Sequence, residues 1–166
     1  MTATTGLRSA MRRLARKTLV RHVLVAILAI GLVLGFAAVH AQFSPMHRWN
    51  RAFGDASLVL VALSMAFGPL TRFLRAAVPL LPFRREMGIH ACLLVIVHAA
   101  IILVGWVEWD LMRLFGFEWH PDLLAYVMFQ HGFGLANAIG IAALVLAVLL
   151  AATSSDFAMR RLGLSG

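Results

Sequence analysis

The chain has 166 residues, of which 61% are hydrophobic and 13% charged, with a mean hydropathy of +0.87 and a formal net charge of +8. A soluble domain is about a quarter charged, so this composition specifies an integral membrane protein, and the length holds about four spans of ~20 residues in a single bundle. The apolar runs are continuous, which excludes a membrane β-barrel, and the basic residues flank those runs as topology signals do, which removes nucleic acid as a partner.

Residues 1–22 form a basic arm with Arg8, Arg12, Arg13, Arg16, Lys17 and Arg21 and no acidic residue, suited to lie on anionic lipid at the cytoplasmic face. The first span is expected at about 23–41, where Gly31 and Gly35 make a small-residue stripe for a neighbouring helix. Arg12-Arg13 and Val39-His40-Ala41 also resemble parts of an export signal. The apolar run is longer than a signal's apolar region and more spans follow, so the segment is expected to be retained.

Residues 42–55 read as an outer connection and a second span is expected at about 56–73, interrupted late by Gly68-Pro69. Pro79 and Pro82 then break the helix in a short inner loop that ends at Arg84-Arg85. The third span is expected at about 86–107. From Trp106 to Pro121 aromatic and acidic residues interleave, as in a segment lying at headgroup level. The fourth span is expected at about 125–153, with Ala143, Ala147 and Ala151 as a close-packing face, followed by a tail at 154–166.

The fold class is therefore an all-α integral membrane bundle of four transmembrane helices, with a transmembrane domain over 23–153. Twelve of the fifteen Lys and Arg lie in the N-terminal arm, the second-to-third connection and the tail, which puts both termini in the cytoplasm. Cys92 is the one cysteine, so an internal disulfide is excluded.

Depth sorts the seven histidines. His22 is at the inner edge, and His40, His47 and His120 belong to the outer connections, where solvation accounts for them. His90 follows Arg85 closely enough to reach the headgroups, and it points about 80° away from His98 around the helix. His131 lies near the outer surface, followed by Gly132 and Gly134. His98 is roughly 20 Å of helix from the arginine pair, past the middle of a ~30 Å hydrocarbon core. An ionisable group at that depth marks a functional site by default. Two readings stay open for it: an imidazole bonded to a carbonyl of the next helix, or a metal ligand. Ala91 and Gly105 lie on nearly its face and leave a flat groove that suits either a porphyrin edge or a packed helix. Imidazole is the usual axial ligand for a membrane haem, but His131 sits roughly 10 Å nearer the outer surface by helix rise and is poorly matched to His98 for one haem. No span offers two metal ligands beside a carboxylate, and no phosphate-binding glycine loop or nucleophile elbow is present.

Arg84-Arg85 with Gly88 and His98 resembles the arginine pair, glycine and haem histidine of the ferric-reductase-like transmembrane superfamily, and most closely the haem-b membrane subunit of the periplasmic methionine-sulfoxide reductase system. Gly68-Pro69-Leu70-Thr71-Arg72, Gly140, Thr153-Ser154 and Met159-Arg160-Arg161-Leu162-Gly163 extend the resemblance over about 55–163. It implies a multi-pass protein of the bacterial inner membrane that carries electrons from a quinol or flavin donor through haem b to a periplasmic acceptor, with His98 as axial ligand. It also implies a six-helix bundle whose fifth helix supplies the opposing ligands. That helix would follow Gly166, so the sequence reads as part of a longer protein or as a four-helix relative.

Two functions follow as expectations. In the first, an electron-transfer subunit binds haem through His98, with His131 and His90 as secondary candidates, and Arg84 and Arg85 hold propionates or lipid headgroups. In the second, a haemless accessory subunit packs its small-residue faces against other subunits of a larger energy-transducing membrane complex.

Overall fold

The computed structural model describes residues 2–128 and 130–153, with residues 2–15 and 153 described by backbone alone. The expected tail at 154–166, including Met159-Arg160-Arg161-Leu162-Gly163, lies outside the described residues. In chain order the elements are α1 (Thr2–Val39), α2 (Pro45–Phe73), a 3-10 turn (Arg75–Leu80), α3 (Phe83–Ile101) continued by a π turn (Ile102–Trp106), α4 (Leu111–Leu114), β1 (Phe117–His120), β2 (Ala125–Met128) and α5 (His131–Thr153). Among the described residues, four helical stretches are long and apolar enough to cross a membrane: Arg16–Val39, Pro45–Phe73, Phe83–Trp106 and His131–Ala152. The helical membrane architecture is thus the one that composition demands.

Two helix starts differ from the sequence expectation. Helix α2 opens at Pro45, not near residue 56, because a proline in the first turn loses no hydrogen bond there and brings its backbone angle preset. The polar residues of that added stretch finish the end of α1. Arg48 donates Nε–H to the Ala37 carbonyl at 2.7 Å, and His40 Nε2 lies 2.7 Å from Asp55 Oδ2. The Arg51 guanidinium sits 3.9 Å over the Phe43 ring. Helix α5 opens at His131, not at residue 125, because Ala125–Met128 pairs antiparallel with Phe117–His120, Phe117 opposite Met128 and His120 opposite Ala125. The apolar side chains of β2 run into those of α5 in the sequence, which hides the boundary.

The core lies among α1, α2 and α3. Val25, Ala29, Val33 and Ala37 recur every fourth residue on α1 and are buried against Ala52, Ala56 and Leu60 of α2 and Met87 and Ala91 of α3. Small residues on these facing stripes let the backbones approach, which is how helices associate where lipid removes the hydrophobic drive. The expected Gly31 and Gly35 stripe is not part of this seam, since both face open space. Helix α5 leans on α3 and α4. Apart from Gly134, none of its described residues is buried, and the Ala143, Ala147 and Ala151 face packs on no core residue.

The segment between α3 and α5 is fastened to the start of α5 by backbone contact. Asp110 caps α4 by accepting from the Met112 amide at 2.9 Å. Asn137 donates Nδ2–H to the Leu114 carbonyl at 2.8 Å, and the Gln130 amide donates to the Gly116 carbonyl at 3.3 Å. Gly116 has φ +82°, and a Cβ on Gly134 would run into the Phe115 carbonyl oxygen. Backbone atoms cannot move aside as a side-chain tip can. Gly134→Ala is therefore expected to cost about 1–3 kcal/mol, read as a lower melting temperature in detergent, whereas Gly132→Ala, at a position facing open space, is expected to have no such cost.

Candidate functional site

The deep histidine is held between two helices by a glycine and a carbonyl. His98, in the last turn of α3, places Nδ1 2.8 Å from the Asn50 carbonyl oxygen of α2. A carbonyl can only accept, so Nδ1 carries the proton and donates it, and in the neutral ring the lone pair is on Nε2. No hydrogen bond or ion pair among the described residues engages that Nε2. Gly54, one turn after Asn50, seats the ring: a Cβ there would stand 3.2 Å from both Cε1 and Nδ1 of His98. Gly54→Val is expected to push the imidazole off the Asn50 carbonyl and lower stability by about 1–3 kcal/mol, measured by thermal melting in detergent.

The groove expected beside His98 is closed on this side. Ala91 is 1% exposed in the seam with α2, and the Met46 side chain lies over Gly105, where its Sδ is 2.5 Å from the position of an added Cβ. The small residues thus serve the packing of α2 on α3, the second of the two uses open to that face. Because Nδ1 faces that seam, the unbonded Nε2 is the ring atom left for any ligand.

The other site residues named from sequence are dispersed. His90 donates or accepts through Nδ1 with the Glu86 carbonyl at 2.8 Å; since that partner is an acceptor, the nitrogen donates. Its ring lies 5.6 Å from that of His22 on α1. His131 is exposed at the first position of α5 and makes no ring contact with His98. Arg84 and Arg85 are exposed on the first turn of α3, and the Arg84 carbonyl accepts from Ser64 Oγ at 2.9 Å.

Sequence reasoning passed over Asn50, Gly54 and Glu86. A backbone carbonyl leaves no residue signature, and Gly54 stood in what read as a loop, where glycine is unremarked. Glu86 is 2% exposed, with Oε1 3.2 Å from Arg21 Nε and Oε2 without a partner. A single acid opening an apolar run was the available signal. Among the described residues no group of three or more His, Cys, Asp and Glu side chains could hold a metal ion.

Residues 53–164 match the model of the family described as ferric reductase like transmembrane component. The chain belongs to this family. The match opens at Phe53, beside the Gly54 seat, and takes in α3 with His98, the hairpin and α5, while α1 precedes it. No curated protein and no solved structure matches the chain. Membership of the ferric-reductase-like family, together with four apolar helices, points to a multi-pass membrane protein with a role in electron transfer.

Proposed function

We propose that this ferric-reductase-like chain is a membrane electron-transfer subunit in which His98 holds a b-type haem through Nε2. The carrying observation is the Nδ1–H bond to the Asn50 carbonyl, which fixes the tautomer and orientation of the ring and leaves the coordinating nitrogen unengaged. Ligating histidines are oriented in this way by a carbonyl or carboxylate on the far nitrogen, which also raises their basicity. The donor chemistry favours a haem over a bare ion: His98 stands without a cluster of further ligands among the described residues, and a macrocycle brings four of its iron's ligands with it. Bound haem supplies a one-electron iron couple. The chain's own work is to orient the imidazole, keep α2 and α3 at fixed spacing through Gly54 and Gly105, and seal the site from water with apolar helices.

A second protein ligand to the haem would come from a helix or subunit outside the described residues. His131 and His90 are secondary candidates that the geometry does not favour. Arg84 and Arg85 are separated from His98 by roughly 20 Å of helix, which fits headgroup anchoring better than propionate binding. The bias of basic residues supports cytoplasmic termini. The resemblance to the methionine-sulfoxide reductase membrane subunit implies a bacterial inner membrane, a quinol or flavin donor and a periplasmic acceptor. The second reading, a haemless accessory subunit, draws on the closed α2–α3 seam and on α5, whose unburied face suits another subunit. Protein purified from haem-replete cells is expected to show paired Soret and α bands on reduction. A colourless preparation overturns the haem assignment, and migration only as a free monomer on blue-native electrophoresis counts against the accessory role.

A further inference from the structure

The geometry points to a second site, at the inner end of the bundle, that binds the headgroup of an anionic phospholipid. An open groove of about 580 Å³ runs between α1 and the proline hinge that joins α2 to α3. Arg16, Lys17 and Arg21 line one side, and Pro79, Pro82 and Phe83 the other. The three cations are not equivalent. Arg21 is committed inward, with Nε 3.2 Å from Glu86 Oε1 and Nη2 donating to Thr18 Oγ1 at 3.3 Å. Arg16 and Lys17 are exposed and have no ion pair among the described residues. Glu86 offsets one positive charge, so the groove keeps the charge of Arg16 and Lys17.

The kind of anion follows from where the groove lies. Arg16, Lys17 and Arg21 flank the start of the continuous apolar run of α1, so the cations mark its polar end while Val20, half exposed, begins its lipid-facing side. A ligand here meets charge at one end and prolines, phenylalanine and valine at the other. Free phosphate uses only the first; a diacyl phospholipid uses both. Guanidinium presents a planar fork to phosphate oxygens and ammonium a compact charge, so Arg16 and Lys17 side by side suit a phosphodiester. Basic pockets between membrane helices take anionic headgroups on this principle. The site does not depend on haem at His98.

Native mass spectrometry of the full chain in detergent, titrated with phosphatidylglycerol, tests the assignment. The double variant Arg16→Gln, Lys17→Gln is expected to bind the lipid about thirtyfold more weakly, from roughly 1 kcal/mol for each of the two lost cations. Exchanging the two cations, Arg16→Lys with Lys17→Arg, is expected to retain binding, and Arg12→Gln with Arg13→Gln, which removes equal charge about one turn earlier in the arm, to leave it within about twofold. All three variants are expected to keep wild-type helix content by circular dichroism. Equal loss in the two charge-removing variants overturns the site in favour of diffuse attraction by the arm. Binding of phosphatidylcholine as tight as phosphatidylglycerol overturns it as well, and displacement of the lipid by millimolar inorganic phosphate reassigns the groove to a soluble anion.

Discussion

Replacing His98 with alanine is expected to remove the paired Soret and α bands of the reduced protein entirely while leaving the helical circular dichroism unchanged. The two consequences separate because the imidazole has two bonds of different kinds to lose. On the packing side, His98→Ala deletes one hydrogen bond to the Asn50 carbonyl. That oxygen lies inside α2 and has a second lone pair available to the helix ladder, so the cost stays near the net value of a single hydrogen bond, about 0.5–1.5 kcal/mol. On the ligand side, the variant deletes the nitrogen proposed to bind iron, for which no neighbouring described residue can substitute. His90 is eight residues back on α3 with its own ring turned to His22, and His131 is exposed at the start of α5. A melting temperature that falls modestly together with full loss of colour is the result expected of an axial ligand. A modest fall with the bands intact identifies the ring as a packing group only.

Much of the bundle was legible because lipid imposes a strong constraint. Continuous apolar runs, the Pro79 and Pro82 break, and cations at the ends of the runs sufficed for four helices and their order. The boundaries were less legible for a physical reason: hydropathy reports what enters the membrane, whereas helices continue beyond it. Residues 45–55 are polar yet helical, since a helix that leaves lipid keeps its internal hydrogen bonds and can spend its side chains on the neighbouring end, as Arg48 does on Ala37. The reverse applies to β2, whose apolar Ala125, Val127 and Met128 look like the beginning of a span but pair with β1. At the site, His98 stood out from sequence because depth alone makes an ionisable ring conspicuous. What holds the ring did not, because a carbonyl and the missing Cβ of Gly54 are features of backbone placement. The small-residue stripes showed the same asymmetry: Gly31 and Gly35 carried the visible motif, while the seam uses Val25, Ala29, Val33 and Ala37, which carry no glycine to mark them in an apolar run.

The other large effect is expected at Arg21. The Glu86 side chain is 3% exposed and that of Arg21 29%, so the carboxylate is the member that burial penalises and the arginine is its one charged partner among the described residues. Arg21→Ala leaves Glu86 buried without compensation, with Oε2 already lacking a partner, and removal of one member of a buried pair typically costs 3–5 kcal/mol. The lower end, about 3 kcal/mol, is expected here: the 3.2 Å contact joins opposite charges, but Nε has no aligned hydrogen-bond acceptor, so the pair attracts without the gain of a directed bond. If the penalty comes from the stranded charge, removing that charge must relieve it. Arg21→Met combined with Glu86→Leu is therefore expected to recover most of the loss, because an apolar pair of similar volume needs no desolvation in the α1–α3 seam. Thermal unfolding in detergent free of anionic lipid measures the cycle without interference from the adjoining groove. Losses that simply add in the double variant would show that the two side chains act as separate packing groups, and that the seam is held by Val25, Ala29, Met87 and Ala91 alone.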